Sequence, residues 1–386
     1  MAATDRESGS RSLGSPERSE RSFRPSRLFA WLGSLLSGVL AIGGARAADL
    51  PEDTAEALLH VYSGGGVTAY GPAFLVRKSV ADRFSITGSY YLDAVSNASI
   101  DVVTTASKYK ETRHEFALSG DYVYRDSQIT LAGSTSREPD YTANRGSLDI
   151  SQEVFGGMTT VSLGFTYGAD KVGKKDSPEF TDSARHWQYR LGASQILTPR
   201  WIMSANLEAI ADDGYLGSPY RAARVFGAFV PEKNPRTRSA RAVMLRLKGD
   251  LGSRDAFHAD YRYYRDTWEI KGHTLELGYS RYFGDAWLAD SYLRYYSQSK
   301  ALFYSDNAAS ETTYVSRNRQ LSSFNNIALG GKVAWTWRKV PGKYEIKLNG
   351  AYEFVHFRFK DFTDFRTGNR YAYNASILQL FVTGTF

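Results

Sequence analysis

The sequence predicts an all-β protein, a transmembrane antiparallel up-and-down barrel of about sixteen strands. Three observations predict it. Segments of about ten residues alternate apolar and polar with period two, the length a tilted strand needs to cross a bilayer. Their connections alternate between tight and long, the asymmetry of a barrel with turns on one side of the membrane and loops on the other. The segment Leu378–Phe386 puts Leu378, Leu380, Val382, Gly384 and Phe386 on one face, with the aromatic at its end. Phe386 is read as an assembly signal on the closing strand.

Composition supports the same class. The 386 residues include 26 Tyr, 21 Phe, 7 Trp and 34 Gly but no Cys, and mean hydropathy is −0.40. Many aromatics without long apolar runs suit a sheet that is apolar on one face. The lack of Cys excludes disulfide frameworks and thiolate metal sites. Much of the net charge of +7 lies in the N-terminal leader, so the charge does not argue for nucleic acid. In residues 1–47 a basic flank, the apolar stretch Leu28–Gly44 and Ala45-Arg46-Ala47 read as a signal peptide. The barrel is then expected over 48–386.

The elements follow in order. Ala55–Ser63 before Gly64-Gly-Gly66 is the first strand, without which the number would fall to fourteen. Phe84, Ile86, Gly88, Tyr90, Leu92 and Ala94 alternate with Ser85, Thr87, Ser89, Tyr91 and Asp93. Phe116, Leu118, Gly120, Tyr122 and Tyr124 repeat the pattern, as do Val161–Tyr167, Ile327–Trp337 and Tyr344–Phe354. Tight turns fall at 80–83, 125–126, 156–157, 198–200, 252–255, 284–285 and 341–343, where Gly, Pro and Asp supply hairpin geometry. Beside them stand Phe84, Phe155, Trp201, Phe257, Phe283, Trp287, Trp337 and Tyr344, an expected aromatic girdle. The long connections, at 96–113, 139–146, 169–184, 214–238, 299–325 and 359–374, are polar and read as solvent loops.

The inward parity is charged. It carries Asp93, Glu115, Asp121 and Glu153 early, and Arg190, Arg246, Arg262 and Arg294 later. Facing lipid, an Arg or Lys near the midplane would cost about 2–4 kcal/mol, so these groups must face the lumen. They imply either a salt-bridged interior or an acidic wall opposite a basic one, with Glu115, Asp121 and Glu153 across from Arg246, Arg262 and Arg294. In the loop at 93–113, Asp93, Ser96, Ser99, Asp101, Ser107, Tyr109, Glu111 and Arg113 could turn inward as a constriction, or cap the loop on itself. No HExxH pattern, phosphate loop or dinucleotide fingerprint is present, and no serine is singled out as a nucleophile. The expectation is a non-enzyme without metal or cofactor.

Gly71-Pro72, Val76-Arg-Lys78, Asp93–Val103 and Ala106–Arg113 resemble the N-terminal part of the domain of unknown function 3570 family of bacterial outer-membrane proteins. The resemblance implies the fold and an outer-membrane location. It also implies partnership with a small lipoprotein or a periplasmic, flavin-linked redox system. The residues themselves point to a pore, transport or envelope-complex barrel, with outer-membrane lipids and the barrel-assembly machinery as partners. A receptor or adhesin acting through its loops is the alternative, and a barrel hydrolase a third reading.

Overall fold

The computed structural model describes residues 50–97, 109–175 and 177–386. The signal-peptide reading of 1–47 falls outside them. Strands β1 (Thr54–Gly64), β2 (Val67–Ala81), β3 (Phe84–Asn97), β4 (Tyr109–Tyr124), β5 (Ser127–Arg137) and β6 (Tyr141–Val154) open the chain. They are followed by β7 (Thr159–Gly173), β8 (Thr181–Thr198) and β9 (Trp201–Gly214). A short hairpin, β10 (Ala222–Val225) and β11 (Ala228–Pro231), stands apart from the ring. The ring continues through β12 (Thr237–Gly252), β13 (Asp255–Asp266), β14 (Lys271–Phe283) and β15 (Trp287–Gln298). It is completed by β16 (Phe324–Val340), β17 (Tyr344–Thr363) and β18 (Arg370–Thr385).

Sixteen of these strands form one closed barrel in which sequence neighbours pair antiparallel, β9 passing directly to β12. The seam is a full ladder between β1 and β18, from Thr54 opposite Thr385 to Gly64 opposite Ala375. Period two decides which residue faces where. Leu118, Leu131, Leu163, Leu293 and Leu329 are all exposed on the outer face. Asp121, Asp260 and Glu353, on the other parity, are buried inside. Such an outer face is stable only against lipid or detergent.

The short turns gather at one end, which we call periplasmic. There Phe155, Phe283, Trp287 and Trp337 are exposed, and Trp287 stacks on Trp335 at 5.6 Å. Phe386 lies at the same end. Its amide donates to the Asp53 carbonyl at 3.0 Å, and the Lys78 ammonium sits 5.0 Å from its ring centroid. Lys78, with the Ser79 amide, holds the Asp53 carboxyl down to about 2.

The extracellular end departs from the sequence reading. The strands run past the apolar band, so several expected loops shrink to tips: 138–140, 174–180 and 364–369. Ser96 belongs to β3, and Glu111 and Arg113 belong to β4, not to a loop. Polar residues on both faces carry no hydropathy period, which is why these extensions read as loop. The two longest connections are not free solvent loops either. Leu216, Trp268, Ile270, Ala301, Tyr304, Leu321, Phe324, Phe359, Phe362 and Tyr371 bury one another in an apolar core at this end.

Candidate functional site

The lumen wall is a set of locally closed ion pairs. Arg246 grips Asp260 on the neighbouring strand with two hydrogen bonds, one of them 2.7 Å from Nε. Arg262 reaches over β12 to Glu208 at 2.6 Å. Arg294 donates to Glu353 at 2.6 Å and lies 3.6 Å from Glu276. Arg190 reaches Asp149 at 2.6 Å.

Two of these bridges cross a glycine. A Cβ on Gly164 would stand 2.3 Å from Asp149 Oδ1. One on Gly330 would stand 2.2 Å from the Tyr292 ring, whose hydroxyl donates to Glu353. The missing side chains let partners two strands apart meet across the intervening strand.

The early acids are also engaged. Asp121, 4% exposed, accepts from Ser85 Oγ at 3.1 Å and Thr130 Oγ1 at 2.7 Å. Glu115 pairs with Arg113 at 3.4 Å, and Glu153 stands beside the Gly156-Gly157 turn. The expected acidic and basic walls do lie on distant arcs of the ring, on β4 and β6 against β12, β13 and β15. Each basic member is paired with an acid one or two strands away, which is the salt-bridged interior of the two arrangements the sequence allowed, and the opposed walls are largely neutralised.

Nearer the mouth, two histidine clusters join strands. His60 Nε2 lies 2.7 Å from Asp93 Oδ1 and 2.9 Å from the Tyr91 hydroxyl, with Arg113 3.5 Å from the other Asp93 oxygen. Asp93 is therefore a buried partner within β3 rather than part of a loop. His186 stands between two carboxylates, Asp170 at 2.5 Å and Asp212 at 3.3 Å. Of the remaining loop-motif residues, Ser99, Asp101 and Ser107 lie outside the described residues, and Tyr109 begins β4.

Across the mouth lies a lid that the sequence reading missed. Its first part, 215–236, carries the β10–β11 hairpin. Its second, 299–323, contains a single 3-10 turn at Arg319–Leu321, capped by Asn318. Bridges between Val225 and Ala308 and between Lys233 and Val315 join the two. Ala223, Val225, Ala308 and Val315 bury one another at that junction.

On one side the Tyr220 hydroxyl donates to Asp140 in the β5–β6 tip and accepts from the Lys175 amide at 2.9 Å. Arg236 adds a bidentate pair with Asp182, both bonds 2.7 Å. On the other side Phe229 packs edge-on against Phe365 in the β17–β18 tip. Buried Arg317 stacks on Phe362 and Phe365, at 4.2 and 3.8 Å from their ring centroids, and pairs with Asp306 at 2.8 Å. The β5–β6 and β17–β18 tips stand six strands apart by the shorter way round the sixteen-strand ring. A segment bound to both must span the opening. The signal was present as apolar residues inside the polar stretches, such as Leu216, Val225, Phe303, Tyr304 and Leu321, but it has no period.

Among the described residues, two groups of three ligand-type side chains have atoms within 4.8 Å of one another: His258, Asp260 and Glu276, and Glu111, Glu138 and Asp140. In the first, Arg246 and Arg294 already engage the carboxylates. The second belongs to the lid's anchor. Burial pushes the Glu138 carboxyl up to about 7; Arg113 opposes this, and Glu111 and Asp140 reinforce it.

A raised folded-state value for an acid favours the closed tip below the ordinary carboxylate range, and that contribution is lost as pH rises through about 7. The Glu138 amide donates to the Tyr141 carbonyl at 2.7 Å. Its hydrogen exchange, corrected for intrinsic rate, should be more protected at pH 5 than at pH 8. Glu138→Gln should abolish the difference, and greater protection at pH 8 would contradict the assignment.

The architecture is that of outer-membrane β-barrels. Residues 174–352 match the model of a family described as "Protein of unknown function (DUF3570)", so the family resemblance read at residues 71–113 is met in a later part of the chain. Among solved structures, the chain is similar to a bacterial polysaccharide outer membrane secretin, with TM-score 0.50, 8% identity, and 86% of this chain and 98% of that one covered. It is similar to the CymD monoaromatic hydrocarbon channel, with TM-score 0.42, 10% identity, and coverage of 87% and 89%. The siderophore receptor PirA from Pseudomonas aeruginosa gives TM-score 0.41 at 10% identity. That alignment covers 81% of this chain and 60% of the receptor, so the chain spans less than two thirds of the receptor's length. These likenesses are of fold. No curated protein sequence matches the chain.

Proposed function

We propose that this protein is a non-catalytic outer-membrane conduit for polar solutes, closed at rest on its extracellular side. The observation that carries the reading is a lid bound to tips six strands apart, above a lumen lined by ion pairs. Polar, charged walls suit hydrophilic cargo, and a mouth spanned by packed loops requires a conformational step before passage. Outer-membrane lipids and the assembly machinery are its general partners. A small lipoprotein or periplasmic redox protein is the partner class that the family resemblance suggests.

The test is planar-bilayer conductance of the purified full-length protein. The expected record is a closed baseline with infrequent openings. A steady porin-sized conductance from the first insertion would refute the resting closure.

A further inference from the structure

The outer face carries a feature that neither a lumen nor a lid explains. On β12 the outward residues Leu247, Leu245 and Val243 are followed, one step nearer the extracellular end, by exposed Arg241. Arg241 lies directly opposite Arg265 on β13, and Arg265 directly opposite Lys271 on β14. Three cations in one cross-strand row repel one another unless an anion lies among them.

The row continues across the neighbouring strands. The Lys271 amide donates to Ser299 Oγ at 2.8 Å, and the Lys360 amide donates to the Ser323 carbonyl at 2.9 Å. A groove of about 300 Å³ is lined by Lys271, His273, Ser297, Ser299, Ser323 and Lys360. Arg358, also outward, stands opposite Asn325, in the row that contains Ser297 and His273.

Among the described residues, none of Arg241, Arg265, Lys271, Arg358 and Lys360 is in an ion pair, whereas the lumen arginines named above all are. On the same tips the Asp361 carboxylate is engaged by the Ser323 amide at 2.9 Å, and Ser299 Oγ donates to the backbone carbonyl of Glu269 at 3.0 Å. Elsewhere on the outer face Arg185 is matched by Asp213 at 2.8 Å.

We propose that this outward stripe on β12–β17 is a binding site for the phosphate groups of a phosphorylated lipid in the extracellular leaflet. The location selects that occupant. The cations lie immediately above the apolar band, at the height of lipid headgroups, and the Ser297 and Ser323 hydroxyls beside them can donate to phosphate oxygens. The stripe covers only one arc, so the lipid is held at one side of the barrel. This inference rests on the apolar band lying in a bilayer, as the proposed function requires.

The probe is phosphatidylethanolamine vesicles doped with a phosphorylated glycolipid, with its dephosphorylated form, or with free inorganic phosphate. The readout is lipid retained on the re-extracted barrel, measured by mass spectrometry. The wild type should retain the phosphorylated form selectively. Arg265→Ser with Lys271→Ser and Lys360→Ser should weaken retention roughly a hundredfold, each lost cation contributing close to a factor of five. Lys171→Ser, outward on β7, should change nothing.

Equal retention of the dephosphorylated lipid by the wild type would overturn the proposal, even if the triple variant failed to fold. So would undiminished retention by a triple variant with normal heat-modifiable mobility, or complete displacement by inorganic phosphate. A barrel that floats with none of the vesicles would instead refute the bilayer placement.

Discussion

Replacing residues 217–234 with a short Gly-Ser linker is expected to raise single-channel conductance roughly tenfold or more over the wild type. The excised segment contains the whole β10–β11 hairpin together with Tyr220, Arg224 and Phe229. Its removal takes away the Tyr220 anchor on the β5–β6 tip and the Phe229 contact with the β17–β18 tip, leaving 299–323 held at the latter alone through Arg317 and Asp306. The barrel itself should persist, because β9 pairs with β12 directly from Trp201–Gly249 to Asp213–Thr237. Heat-modifiable mobility of the variant would verify that. An unchanged closed baseline in a folded variant would place the barrier inside the lumen and remove the lid's gating role.

The second large effect is expected at Arg294. Its guanidinium serves Glu353, 5% exposed, and approaches Glu276. Arg294→Ala strands a buried carboxylate, a loss of about 3–5 kcal/mol where no substitute cation can reach. The double variant Arg294→Ala with Glu353→Gln should recover much of that, because the remaining amide needs no countercharge. Equilibrium unfolding in detergent, with both single variants and the pair, measures the coupling. Independent, additive losses would mean that the pair is solvated and structurally idle. The local pairing also predicts that reversing one lumen arginine unbalances its own acid more than it alters any field across the barrel.

What was legible in the sequence was whatever obeys the two-residue period. Leu378, Leu380 and Val382 announced an outer face, and the opposite parity carried the lumen charges. Pairing was not legible. Arg294 and Glu353 are 59 positions apart and meet only because Gly330 leaves room between their strands. The lid escaped for a different reason: Trp268, Tyr304 and Phe362 are buried by irregular chain, where no alternation marks the inside. The cationic stripe was visible in principle, as charges on the outward parity of Arg241, Arg265, Lys271, Arg358 and Lys360. Such charges are informative because they break the pattern that identifies the fold.

The β1–β18 seam bears on how the chain reaches this state. Thr54 and Thr385 face each other across a sequence separation of 331 residues, whereas every other ladder joins strands linked by a hairpin or the lid segments. Closing that ring costs about 3 kcal/mol more in loop entropy than closing a ten-residue loop. The seam is therefore the last ladder to become favourable, and folding time is governed by an encounter of the most distant parts of the chain. Until then β1 and β18 are open edges of an apolar sheet, able to template strands of another molecule. The interval before closure, more than the finished barrel, is where this chain is vulnerable to aggregation.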